Sequence, residues 1–131
     1  MYLGLRTDSP VVEMYLYSVD GERIAFAEWR ADRGMAKGLL LHIETFLKTH
    51  EAEFTLLKGV FVFAGPGSFT GLRIGITVAN ALSYSLSVPV VGACGDDIWA
   101  ADCVSRLQRG KNDRVVVPFY GAAPRITQPK K

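Results

Sequence analysis

The chain has 131 residues, 49% of them hydrophobic and 21% charged, with a formal charge of +2. That length supports one core, burying about 65–70% of the unfolded surface without disulfides or metals, and excludes a second full domain. Cys94 and Cys103 lie nine apart with no CxxC, so they give neither a disulfide framework nor a zinc site, and a reducing, cytosolic setting is expected.

No basic segment followed by an apolar one opens the chain, and no apolar run nears the ~18 residues that span a bilayer, so secretory and membrane roles are not expected. Charge is unevenly placed: residues 1–105 carry eight Lys/Arg against twelve Asp/Glu, and residues 106–131 carry seven against one. A basic end of this kind is either a solvated tail or a contact for RNA phosphates. Residues 1–121 are therefore expected to form one lobe and 122–131 a basic tail.

In chain order, Met1–Leu5, Val11–Val19 and Arg23–Trp29 read as three strands, broken at Ser9-Pro10 and at Asp20-Gly21. The second break predicts a two-residue Asp-Gly turn and an antiparallel hairpin. Met35, Leu39, Leu40, Ile43, Phe46 and Leu47 then recur at three- and four-residue spacing, which predicts an amphipathic helix over 35–50. Gly59–Ala64 is apolar throughout and predicts a strand buried on both faces, at the centre of the sheet. A glycine turn follows, then a helix over 68–86, a strand at Val88–Val91, a helix over 96–108 opened by Asp96-Asp97, and a strand at Arg114–Tyr120. Strands alternating with helices predict parallel pairing over 58–120, so the chain is α/β with an antiparallel start.

The turn Gly65-Pro66-Gly67-Ser68-Phe69-Thr70-Gly71-Leu72-Arg73-Ile74-Gly75 resembles a phosphate loop, because backbone N–H groups ahead of a helix can cradle an anion. Its spacing matches neither GxxxxGK[ST], nor GxGxxG, nor GxSxG. A tight strand-to-helix turn is the equal alternative. Gly71, Gly75 and Ala79 line one side of the helix at four-residue spacing, which lets another backbone approach, while Leu72, Ile74, Ile76, Val78, Ala81, Leu82 and Leu86 spread around the rest. So wide an apolar surface predicts a second helix or a partner against the outer face.

His42 and His50 are not an i, i+4 ligand pair, and no metal site is expected. Asp96 and Asp97 read as helix caps and the two cysteines as packing residues. The spacings suggest no Ser/His/Asp or Cys/His set.

On the stretch GPGSFTGLRIG at 65–75, with the apolar strand before it and the Ala/Leu helix and Val88-Pro89-Val90-Val91-Gly92 after it, the chain resembles the TsaB (YeaZ) family across about residues 1–121. The resemblance implies an actin-like ATPase or ribonuclease H-like lobe: a mixed sheet, antiparallel strands first and parallel ones after, with helices packed on it. It implies a non-catalytic subunit without a cofactor, which binds a TsaD-like partner, joins a TsaE-like ATPase in a larger complex, and supports threonylcarbamoyl transfer to the tRNA adenosine beside the anticodon. The partner surface it implies takes Leu39, Ile43, Phe46, Phe69, Thr70, Gly71, Leu72, Arg73, Gly75, Ile76, Ala79 and Leu82, with residual nucleotide contact at Gly65, Pro66, Gly67 and Ser68.

Three departures bear on that. Arg6, in Leu5-Arg6-Thr7-Asp8-Ser9, stands where the family's first strand usually ends in Asp-Thr-Ser, and a cation there cannot hold a metal. Residues 33–38 lack the family's usual His-Ser pair, and the chain ends at Lys131 where family members continue into a second lobe. Alternatives are a degenerate nucleotide-binding or phosphotransfer lobe, and a homodimer that uses the same helices on itself. The strand at 114–120 is expected to fold back over its own lobe or to meet a partner.

Overall fold

A computed structural model describes residues 1–95 and 97–120. Five strands form one mixed sheet: β1 (Tyr2–Arg6), β2 (Val11–Tyr17), β3 (Arg23–Arg30), β4 (Gly59–Gly65) and β5 (Val90–Cys94). Their order is β3-β2-β1-β4-β5, with β1, β2 and β3 antiparallel and β1, β4 and β5 parallel. The mixed α/β frame is the one the sequence predicts. The middle strand is β1 rather than β4, yet β4 lies between two neighbours and is buried at all seven positions.

Alternation along the strands divides the core in two. Leu3, Leu5, Met14, Leu16, Val60 and Val62 face α1 (Met35–Thr49) and α2 (Phe69–Leu86), while Tyr15, Phe61 and Phe63 face α3 (Trp99–Gln108) on the opposite side. The second layer is aromatic, with Trp99 within 5.4–5.7 Å of the rings of Tyr15, Phe61 and Phe63. Gly4 makes room for it, since a Cβ at that position would run into the Phe61 ring.

Three local expectations are corrected. At the β2–β3 turn the central residues are Val19 and Asp20: Gly21 N–H donates to Ser18 O at 3.0 Å and Gly21 takes φ +94°. Glycine thus closes the four-residue turn with its positive φ, and is not the second central residue of an Asp-Gly pair. The last helix begins at Trp99 with Ile98 as N-cap and no side-chain cap bond, so Asp97 does not cap it; Asp96 lies outside the described residues.

Arg114–Tyr120 is not a strand. Side chains take its backbone bonds instead: Asn80 receives Val116 N–H at 2.9 Å and donates to Val116 O at 3.0 Å. Val116 is buried against Gly92, and Phe119 N–H donates to Ala64 O at 2.7 Å, so the segment does fold back over its own lobe. The outer edge of β5 is covered in the same way. Val90 N–H donates to Asn112 Oδ1, Gly92 N–H to Asp113 Oδ2, Asp113 N–H to Val90 O and Arg106 Nη2 to Gly92 O. A covered edge cannot template pairing with other chains.

Cys94 is exposed and Cys103, on the inner face of α3, is fully buried. Burial pushes the Cys103 thiol up to about 12 from an ordinary value of 9.0. The unfolded chain loses that proton first as pH rises, so stability is fully present below pH ~9 and falls from there toward ~12. About 1 kcal/mol should be lost by pH 10 through this group. Urea titrations at pH 8 and 10 should show that loss, and Cys103→Ala should make the pH slope shallower; an unchanged slope in the variant would reject the assignment.

Candidate functional site

The C-terminal ends of β1 and β4 meet the N-terminus of α2, and the chain's own groups fill the junction. Ser68 N–H donates to Asp8 O at 3.1 Å, and Gly95 N–H to Gly65 O at 3.0 Å. Ser68 is the N-cap of α2, its Oγ accepting from Gly71 N–H at 3.5 Å. Gly67 abuts Asp8, where a Cβ would lie 3.3 Å from the Asp8 Cα. Gly65 takes φ +124° and passes beneath the backbone of Phe119, so only glycine fits there. Among Gly65, Pro66, Gly67 and Ser68, these bonds hold strand to helix.

Arg6 points into the aromatic layer, not into an open cleft. Its guanidinium lies 3.9 Å from the Phe63 ring centroid and grips Asp8 with two bonds, Nε to Oδ1 at 2.9 Å and Nη2 to Oδ2 at 3.1 Å. The Asp8 bond outweighs partial burial and holds the guanidinium's pKa above its ordinary value. Tyr15 hydroxyl donates to Glu13 close by, and burial, then that bond, raises the phenol's pKa. Each carboxylate here thus has a partner within the chain. Among the described residues no three His, Cys, Asp or Glu side chains gather as a metal site; His42 stacks on Trp29 at 3.6 Å and His50 meets the Phe46 ring edge.

The small-residue stripe of α2 faces inward. Gly71 and Gly75 lie against Thr7 at the end of β1, and Thr7 Oγ1 donates to Gly71 O at 2.7 Å. The backbone that the stripe admits is the chain's own. Leu39, Ile43, Phe46, Leu72, Ile76 and Ala79 are buried in the core with it, out of a partner's reach in this conformation.

Of the twelve residues assigned to a partner surface, Phe69, Thr70 and Arg73 stand on the outside and Leu82 is half-buried. Phe69 is 55% exposed, stacks on Tyr120 with centroids 4.3 Å apart, and has the Arg73 guanidinium 5.3 Å from its ring. Thr70 and Arg73, with Ile74, Thr77, Val78 and Ala36 of α1, line an open groove of about 410 Å³ along the α1–α2 seam. A second hollow of about 410 Å³ continues it past Ser68 and Arg33 to Ser9 and Pro10. Leu40, one turn beyond Ala36, is 52% exposed. The partner surface expected from the sequence leaves out Ala36, Ile74, Thr77 and Val78, although Ile74 and Val78 belong to the apolar spread read on that helix, and nothing there marks Asn80 as the clasp on Val116. The available signal for Asn80 is a lone amide among the apolar residues Ile76, Val78, Ala79, Ala81 and Leu82.

A family model described as "TsaD: tRNA N6-adenosine threonylcarbamoyltransferase" matches residues 30–109. The tRNA threonylcarbamoyladenosine biosynthesis protein TsaB of Bacillus subtilis is 41% identical over 46 residues, which are 35% of this chain and 20% of that protein. TsaB of Buchnera aphidicola is 38% identical over 88 residues, 67% of this chain and 38% of that protein. A crystal structure from Pseudomonas aeruginosa, of an uncharacterized protein with similarity to peptidase YeaZ, superposes with a TM-score of 0.65 at 26% identity, covering 71% of this chain and 42% of that one. The chain thus spans less than half the length of these relatives.

Proposed function

The chain belongs to the TsaB (YeaZ) family, which shares its fold with TsaD, and on that premise we propose that it is a non-catalytic scaffold subunit for tRNA threonylcarbamoylation. In this reading the α1–α2 seam receives a helical face of a TsaD-like protein, and a TsaE-like ATPase completes the assembly. The tRNA is met through the partner. The observation that carries it is the open groove at Ala36, Thr70, Arg73, Ile74, Thr77 and Val78, flanked by exposed Phe69 and Leu40. It is an apolar seam with one cation on its rim, the composition of a protein-binding surface.

The nucleotide-binding alternative is less well supported. It calls on the Gly65–Ser68 turn, where Ser68 N–H is bonded to Asp8 O, and on the end of β1, where Arg6 and Asp8 neutralise each other.

Co-expression with the TsaD-like protein of the same organism, followed by size-exclusion chromatography with light scattering, tests the reading. A stable one-to-one complex is expected. Phe69→Asp with Arg73→Glu should weaken it by about 100-fold, as loss of a central aromatic and cation does at other interfaces. Both side chains are exposed, so the variant should melt within a few degrees of the parent. Undiminished binding by that variant, or no complex with the parent chain, would reject this seam as the interface.

A further inference from the structure

β1, β4 and β5 run parallel and start at one end of the sheet, with Tyr2 level with Gly59 and Val60 level with Val90. Continuing that register back two residues sets Lys58 beside Val88, one strand spacing away. Asp113 N–H donates to Val90 O and Lys111 N–H to Arg106 O, which lays residues 111–113 along the outer side of β5 at the same end. The chain then follows α2 backward: Arg114 shares a hollow with Tyr84, and Val116 reaches Asn80, one turn before Tyr84. The hollow, about 350 Å³ between Tyr84, Ser87, Val88, Pro89, Asn112 and Arg114, falls within the range of small-ligand sites.

Its chemistry is one-sided. No carboxylate lines it, and its cation is Arg114, whose backbone takes φ +69° with its N–H held by Asn112 Oδ1 at 2.8 Å. Residues other than glycine rarely take that conformation, and those that do cluster at ligand sites. Tyr84 is 90% exposed, so a full ring face stands free at the hollow. α2 ends here, but its carbonyls Ser83 O and Tyr84 O already accept from Val88 and Ser87 N–H. Among the described residues Lys58, Arg109, Lys111 and Arg114 are exposed and in no ion pair. Asp113, between Lys111 and Arg114, commits its carboxylate to Gly92 N–H and Arg106. The other carboxylates at this end, Asp20, Glu22, Glu51 and Glu53, belong to the β2–β3 turn and the loop after α1, not to the hollow.

We propose that this hollow takes one nucleotide of a single-stranded RNA, the base stacked on Tyr84 and its phosphate on Arg114, with the neighbouring phosphates running over Lys111 and Lys58. A guanidinium matches phosphate oxygens in geometry and charge, and an exposed aromatic face stacks on a base of any sequence. Duplex RNA keeps its bases inside the stack, so the ring selects the single strand. The site lies at the opposite end of α2 from Phe69, Thr70 and Arg73, and it stands independently of the helical seam and of any RNA that arrives through a partner.

Fluorescence anisotropy of a labelled oligouridylate of about ten nucleotides, titrated with the chain at about 50 to 200 mM salt, tests the proposal. Saturable binding is expected, its logarithm falling with that of the salt at a slope of about −2 or steeper, as three phosphate contacts require. Arg114→Gln and Lys111→Gln should each make the slope shallower by about 0.7. Tyr84→Ala should weaken binding by about tenfold at unchanged slope, while Tyr84→Phe stays within about twofold of the parent, because the ring face and not the hydroxyl does the stacking. A duplex of the same length should bind at least about tenfold more weakly than the single strand. All three positions are exposed, and circular dichroism should show every variant folded. No binding at the lowest salt would overturn the proposal. So would a slope unmoved by Arg114→Gln, a duplex bound as tightly as the single strand, or a Tyr84→Ala chain that binds like the parent, which would assign the RNA to charges elsewhere on the chain.

Discussion

Gly75→Ala should destabilise the chain by about 2–4 kcal/mol, and Gly75→Leu should leave it unfolded at 25 °C. An added Cβ at 75 overlaps Thr7 Oγ1 and lies 2.8 Å from its Cγ2 and 3.1 Å from its Cβ. Thr7 is fully buried, and its hydroxyl donates to Gly71 O at 2.7 Å. Moving the side chain aside breaks that bond and strands two buried polar groups, about 1–3 kcal/mol, on top of about 1–3 kcal/mol for overpacking. The better helix propensity of alanine returns about 1 kcal/mol. Urea denaturation measures the sum.

Thr7→Ala removes the two closest contacts, so Gly75→Ala should cost at least about 1 kcal/mol less in that background than in the parent. An additive pair would contradict the packing. The result also bears on function: lost partner binding in a Gly75 variant reports a damaged lobe, whereas Phe69 and Arg73 test the surface itself.

Much of the lobe is legible in the sequence, and the failures have physical causes. Apolar runs and period-3.6 patterns locate the five strands and the three helices because each element buries one face or, for β1 and β4, two. The spacing of Gly71, Gly75 and Ala79 shows that a backbone comes close but not whose; it is Thr7, 64 residues before Gly71. A helix apolar nearly all round also hides which side is inward, so the expected partner surface takes the buried Leu72 and Ile76 and leaves out the half-buried Ile74 and Val78.

Val115-Val116-Val117 has the composition of a strand, yet Asn80, from a distant helix, takes both backbone groups of Val116. No local pattern encodes that choice. Arg6 was legible as a cation in an unexpected place. Its burial on Phe63 and its pairing with Asp8 required the fold.

Trp99→Ala should cost about 3–5 kcal/mol, comparable to the Gly75 effect but on the opposite face of the sheet. The indole is 4% exposed and fills the space among Tyr15, Phe61 and Phe63, and it also lies 6.0 Å from the Arg6 guanidinium. It is the first residue of α3, so its loss frees the helix start from the sheet. Arg106, two turns on, then loses its anchor, and with it go the bond to Gly92 O and the 3.6 Å pair with Asp113 that help hold residues 112–116 along β5. Backbone amides of α3 and β5 should exchange faster in hydrogen-exchange measurements, while those of α1 should stay protected up to the global limit.

Asp113→Ala separates the two effects, since it releases the β5 edge without opening a cavity: faster exchange at Gly92 is expected with little change in the urea midpoint. The α1–α2 seam lies across the sheet from Trp99, although residues 116 and 120 reach α2 through Asn80 and Phe69. Where Trp99→Ala remains folded, its affinity for a TsaD-like partner should stay within about twofold of the parent, because the seam residues Ala36, Thr70, Arg73, Ile74, Thr77 and Val78 lie on the opposite face of the sheet from the lost indole. A loss of binding as large as that of the Phe69/Arg73 variant would mean that the partner also grips the α3 face, and the proposed seam would have to be redrawn.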